Sequence, residues 1–148
     1  MSKQEEAGLI LKLYELRRDE TMRKARDWYA MHFHPETIAD FTEAMTGQHS
    51  GYLRMVVSYW DMAAGFVNAG AISMDMFNNA NGEHLMVYSK IEPMLPEIQA
   101  AIGPQFAAQL KKMVDAMPDG KQRVAAIRER MKQIRAIVAS QAQAAQRS

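Results

Sequence analysis

The chain has no cysteine, which removes disulfides, thiolate zinc sites and thiol nucleophiles together. No uncharged run approaches the ~20 residues that a membrane-spanning helix needs. Met1–Glu6 is polar and acidic, and the apolar run Leu9-Ile10-Leu11 is stopped by Lys12, so no signal peptide is expected. A cytoplasmic protein is the expectation from these absences. Aromatic residues make up only 8% of the chain, and β-branched residues are sparse beside Ala, Met, Gln, Lys and Arg, a balance that favours helix over strand. Eight glycines and five prolines are few enough to act as punctuation between helices.

At 148 residues the chain has the size of one domain. That length buries roughly 70% of the unfolded surface, enough for a core without staples. The net charge is +1, but it is unevenly spread. Residues 121–148 hold seven Lys or Arg and the single acid Glu129, so the preceding 120 residues carry the negative balance. Such asymmetry marks either a basic recognition tail or a helix that complements an acidic body.

Ser2-Lys3-Gln4-Glu5 has the spacing of a capping box, and apart from Gly8 neither glycine nor proline follows until Pro35. The first helix is therefore expected from about Lys3 to Phe33. At about 100° per residue, Ile10, Leu13, Tyr14, Ala25, Trp28 and His32 share one stripe, and Lys12, Asp19, Arg23, Arg26 and Asp27 lie opposite. Pro35 suits the first position of a second helix, about Glu36–Met45, ended by Gly47. The third, about Ser50–Ala69, is apolar over nearly its whole circumference, as a helix at the middle of a bundle should be. Ser73 is a good N-cap for a fourth helix that falters around Asn78–Gly82 and resumes through Glu92. Pro93 and Pro96 then force a corner, leaving a short helix at Pro96–Ile102. Gly103-Pro104 starts another helix towards Met117, and Pro118-Asp119-Gly120 is a turn. The last helix runs towards Ala145, with 140–148 expected to fray. These elements predict an all-α antiparallel bundle of six to seven helices in a single domain, 1–148.

Few residues offer chemistry. His32, His34, His49 and His84 lack the Glu-x-x-His pairing of helical metal sites, so no metal is expected. The thirteen methionines, Met74-x-Met76 and Met113-x-x-x-Met117 among them, read as core filler rather than soft-metal ligands. Gly65 and Gly70 have phosphate-loop spacing, but Ala71-Ile72 follow where Lys-Ser/Thr belongs. Arg17 falls within the apolar stripe of the first helix, where a charge must either reach the edge or be paired. On the third helix Arg54, Ser58, Asp61 and Asn68 form the polar strip. Arg17, Arg54 and Asp61 are thus the candidate residues for binding a small anionic ligand, with Arg17–Asp61 as a candidate buried pair. No catalytic residue and no cofactor is expected.

The last helix carries Val124, Ile127, Met131, Ile134 and Val138 at 3-4-3-4 spacing, the narrow seam of a helix that pairs with one partner helix. Arg123, Arg128, Arg130, Lys132 and Arg135 flank it. Nucleic-acid binding requires stacking or base-contacting groups, and this helix has no aromatic residue, so a helical partner is the expectation over nucleic acid.

The stretch Tyr59-Trp60-Asp61-Met62 through Gly70-Ala71-Ile72, with Met76-Phe77 and Asn81-Gly82-Glu83, resembles a group of bacterial helical proteins of unknown function over residues 5–118. The resemblance implies a helical fold and transfers no catalytic residues. The expected function is therefore a non-enzymatic interaction or scaffolding protein that forms a homodimer. A ligand sensor with an inter-helix pocket is the alternative.

Overall fold

The computed structural model describes residues 2–147. The order is α1 (Lys3–Leu16), α2 (Glu20–His32), α3 (Ile38–Thr46), α4 (Ser50–Asn68), α5 (Met74–Ala80), α6 (Glu83–Ile91), a 3-10 turn (Glu92–Met94), α7 (Leu95–Ile102), α8 (Ala108–Ala116) and α9 (Gly120–Arg147). Among the described residues there is no strand. The fold is all-α.

Local hydrogen bonding explains where the boundaries fall. The capping box at Ser2 forms, with the Glu5 amide donating to Ser2 Oγ at 3.1 Å. The single helix expected from Lys3 to Phe33 is instead two. Asp19 accepts the Met22 amide at 3.1 Å and starts a new helix, because an Asx cap offers the backbone an alternative to continuing the old one. This break resets the helical phase, and Arg26, expected on the outer face, points inward. The next helix begins at Ile38 rather than Glu36. Thr37 Oγ1 accepts the Asp40 amide at 3.2 Å while the Asp40 carboxylate accepts from Thr37 and Glu36, so a second capping box decides against Pro35. Pro104 likewise sits in a turn, and α8 starts only at Ala108. The segment expected to fray is helical through Arg147, with 140–147 exposed throughout.

The α4 helix is the core element. Leu53, Val56, Val57, Trp60, Ala63, Ala64 and Val67 are all buried, and α2, α3, α6 and α8 pack around them. Its circumference is not wholly covered, however, since Met62 and Phe66 remain exposed. Trp60 has no exposed surface and meets Tyr59 and Phe77 edge-on, the arrangement favoured by ring quadrupoles. The partners of α4 are anchored by polar contacts from its own rim. Asp61 accepts the Leu110 amide at 2.9 Å. It thereby caps α8, whose N-cap Ala107 has no capping side chain and a φ of 55°.

Between α8 and α9 the chain turns so tightly that Gly120 is buried, and a Cβ there would lie 2.1 Å from the Val114 carbonyl oxygen. Gly120→Ala should cost at least about 3 kcal/mol in urea unfolding, the upper range for overpacking, because backbone cannot step aside. Gly51→Ala, inside α4 and with no atom within 4 Å of the added Cβ, should cause no loss of stability.

Candidate functional site

The end of α2 sets the geometry around which the remaining surface is built. Helices often close on a glycine in the left-handed conformation, which satisfies the last carbonyls. Here Phe33-His34-Pro35 follows α2, and proline disfavours helical backbone at the residue before it. The helix stops with no glycine to cap it, so its carbonyls need donors from elsewhere. Lys90 of α6 supplies them. Its Nζ donates to the carbonyls of Tyr29 at 2.6 Å, Ala30 at 3.1 Å and Phe33 at 2.7 Å, and lies 3.3 Å from His34 Nδ1. The imidazole closes the set, with Nε2–H donating to the Met31 carbonyl at 3.1 Å.

Lys90 is 8% exposed. Burial, and after it the charge of Arg135, pulls its ammonium down to about 7. Three carbonyl acceptors require three N–H donors, which only the protonated amine has, and the negative end of α2 favours the cation as well. Tyr29 adds its ring face at 5.3 Å and hydrogen-bonds its hydroxyl to the Val87 carbonyl. Thus α2 and α6 are joined along their length.

A second polar junction sits beside Trp60. Arg26 donates to both oxygens of Glu83, at 2.9 and 3.0 Å, and the Trp60 indole N–H donates to Glu83 Oε2 at 2.8 Å. One carboxylate thereby ties α2, α4 and α6 together. Arg26 also donates to the Arg17 carbonyl at 3.3 Å, and Tyr59 donates to the Leu13 carbonyl. Next to this group His84 is fully buried between Trp60 and Phe77. Its Nε2–H donates to Asn78 Oδ1 at 2.9 Å, while Nδ1 has no hydrogen-bond partner among the described residues.

The residues proposed for anion binding are not brought together. Arg17 ends α1, donates to Asn81 Oδ1 at 2.7 Å, and lies over the rings of Tyr14 and Trp60. Among the described residues it has no ion pair, and the Arg17–Asp61 pair does not form, since Asp61 is committed to α8. Arg54 is exposed and reaches the Ser50 carbonyl of its own helix. The ion pair that forms between α2 and α6 is the half-buried Arg26–Glu83 instead. Arg26 was hidden by the unbroken helix assumed for residues 3–33, whereas an indole N–H that must be paired when buried was a usable signal for an acid near Trp60.

The seam of α9 divides in two. Val124 is buried, Ile127 and Met131 are half-buried, and Arg128 is fastened to α6 and its 3-10 turn through Ser89 O and Glu92 Oε1, both at 2.7 Å. Beyond this point no apolar residue of α9 is buried. Ile134, Ile137 and Val138 are 52%, 58% and 58% exposed, and Met31 at the end of α2 is 69% exposed. Between them lies an apolar cleft of about 460 Å³ lined by Ala30, Met31, Met131, Ile134, Val138 and Ala142, among others.

Metal chemistry finds no ligand set: among the described residues no three His, Asp or Glu converge. No described helix is long and apolar enough to cross a membrane. A family model described as a domain of unknown function, DUF4760, matches residues 4–117, which takes in α1 to α8 and leaves α9 outside. No curated protein and no solved structure matches the chain.

His84 gives the site region a titration that can be measured. Burial, then Arg123, lowers its pKa from 6.5 to about 4. The unfolded chain therefore binds a proton first, and stability falls as pH drops from 6.5 through 4. The shift corresponds to a loss on the order of 3 kcal/mol. His84→Leu should flatten this part of the profile in denaturant titrations between pH 7 and pH 4. An unchanged slope would mean that His84 takes up its proton in the fold as readily as in the unfolded chain.

Proposed function

We propose that this chain, which belongs to the family described as a domain of unknown function (DUF4760), is a non-enzymatic helical interaction protein that self-associates through the second half of α9. The observation that carries the reading is the exposed run Ile134, Ile137 and Val138 beside exposed Met31. A helix of 28 residues is about 42 Å long, and its buried or half-buried apolar residues Val124, Ile127 and Met131 all lie in its first half. Apolar side chains that continue a 3-4 seam while exposed to solvent fit a partner helix better than water.

The charge pattern favours a second copy of the chain in antiparallel pairing. From Ala136 to Gln146 there is no charged residue, whereas Arg128, Arg130, Lys132 and Arg135 lie just before it. An antiparallel pair centred on the uncharged half keeps the two basic segments apart. It also turns each toward the other helix's C-terminal end, where the macrodipole is negative. Such a contact uses the same patch on both copies and closes with two-fold symmetry. The reading extends to a cytoplasmic bacterial homodimer, consistent with a chain free of cysteine.

Sedimentation equilibrium should show a dimer at micromolar concentration. Ile134→Asp with Val138→Asp, which places charge in the seam, should give a monomer with the same helix content. A wild-type chain that stays monomeric to several hundred micromolar would refute self-association. A dimer that survives both substitutions would move the interface elsewhere.

A further inference from the structure

Beside the apolar cleft, on the other side of His34, lies a second cleft of about 380 Å³. Its walls come from three places: the α2–α3 link, the end of α6 with the 3-10 turn, and α9. Its charged lining is Lys90, Arg128, Lys132 and Arg135 against the single acid Glu36. Arg128 is neutralised by Glu92 just outside. Among the described residues Lys132 and Arg135 have no ion pair and no hydrogen-bonded partner. Counting Glu92 with the lining, the pocket retains two uncompensated positive charges.

We propose that this cleft is a binding site for a phosphomonoester dianion, held by Lys132 and Arg135, with the buried Lys90 ammonium behind it. The charge count matches a group that carries close to two negative charges at neutral pH. Arginine offers the planar fork suited to phosphate oxygens, and lysine a mobile point charge. Lys90 spends its protons on backbone carbonyls and contributes field rather than a direct contact. Pro93, Met94 and Met131 supply an apolar wall, so the phosphate should carry an organic group. Burial is the first cause of the lowered pKa of His34 and of Lys90, and the positive field adds to it in each case: the charges of Lys90 and Arg135 act on His34, and that of Arg135 acts on Lys90. An anion in the cleft would relieve both.

All lining residues of the site come from one chain, and Met131 and Arg135 also line the apolar cleft beside it. Calorimetric titration at pH 6.5 and fixed ionic strength, where Lys90 is still mainly protonated and the phosphate mainly dianionic, tests it with phenyl phosphate as the probe. Binding should be at least tenfold weaker in the Lys132→Gln/Arg135→Gln double variant and unchanged in Arg130→Gln, whose side chain lies outside the cleft. The monoanion benzenesulfonate should bind at least tenfold more weakly than phenyl phosphate. Absence of phenyl phosphate binding, or equal loss in Arg130→Gln, overturns the proposal. So does salt-sensitive binding of a DNA duplex that all three substitutions weaken alike, because that describes a basic helix face and not a pocket. Vesicles of phosphatidylcholine with phosphatidic acid identify the source of the group. Co-sedimentation that requires Lys132 and Arg135 makes it a lipid headgroup. Phenyl phosphate binding without co-sedimentation makes it a soluble ligand. Co-sedimentation that survives the double substitution counts against the cleft.

Discussion

A helix that ends without a capping glycine leaves carbonyls that something else must satisfy, and in this chain the donor is one buried lysine. Two clefts on the surface border that substitution of a side chain for a turn. Because Lys90 must reach Tyr29, Ala30 and Phe33, α6 is held against the last turn of α2. Because α9 packs on α6 and is fastened to it through Arg128, it is carried past the same junction. His34, between the two clefts, is fixed by its own bond to Met31. Both the apolar and the basic cleft are thus by-products of how α2 is terminated. A buried cation is expensive unless its protons are all engaged, which fits the short contacts seen here.

The second constraint is the middle helix. An element as apolar as α4 has to be surrounded, and Trp60 brings into that centre an N–H that cannot go unpaired. Glu83 answers it, and Arg26 answers Glu83. The result is a polar knot at the one place where α2, α4 and α6 meet, with His84 kept neutral alongside by burial. Asp61 performs a similar service for α8. These charged groups, which in isolation look like ligand-binding candidates, are used up in holding helices together.

Much of the architecture was legible in the sequence because glycine, proline and capping residues punctuate it. The central helix at residues 50–69, the Ser73 cap, the stop at Asn81-Gly82 and the Pro118–Gly120 turn all lie where those signals place them. What was not legible depended on competition between local signals. Asp19 interrupts a run with neither glycine nor proline, and that single cap inverts the facing of Arg26. The Thr37–Asp40 box displaces the start expected at Pro35. Lys90 is a different kind of miss. It stands among Leu85, Val87, Tyr88 and Ile91, all buried, and its role depends on the end of a helix nearly sixty residues earlier. The clue available was the lack of a glycine after His32. The 3-4 repeat of α9 is plain in the sequence, but periodicity does not reveal that apolar burial stops after Met131.

The measurement that bears most directly on this account is the unfolding free energy of Lys90→Met, combined with hydrogen exchange across α2. Methionine keeps the length and apolar stem but has no proton to donate, so three carbonyls lose their partner. Each buried acceptor left unsatisfied costs about 1–3 kcal/mol, and the total loss should therefore reach several kcal/mol, with exchange rising first in the last turn of α2. A loss below about 1 kcal/mol, with α2 as protected as before, would show that the helix end is satisfied without Lys90 and that the junction does not organise the clefts.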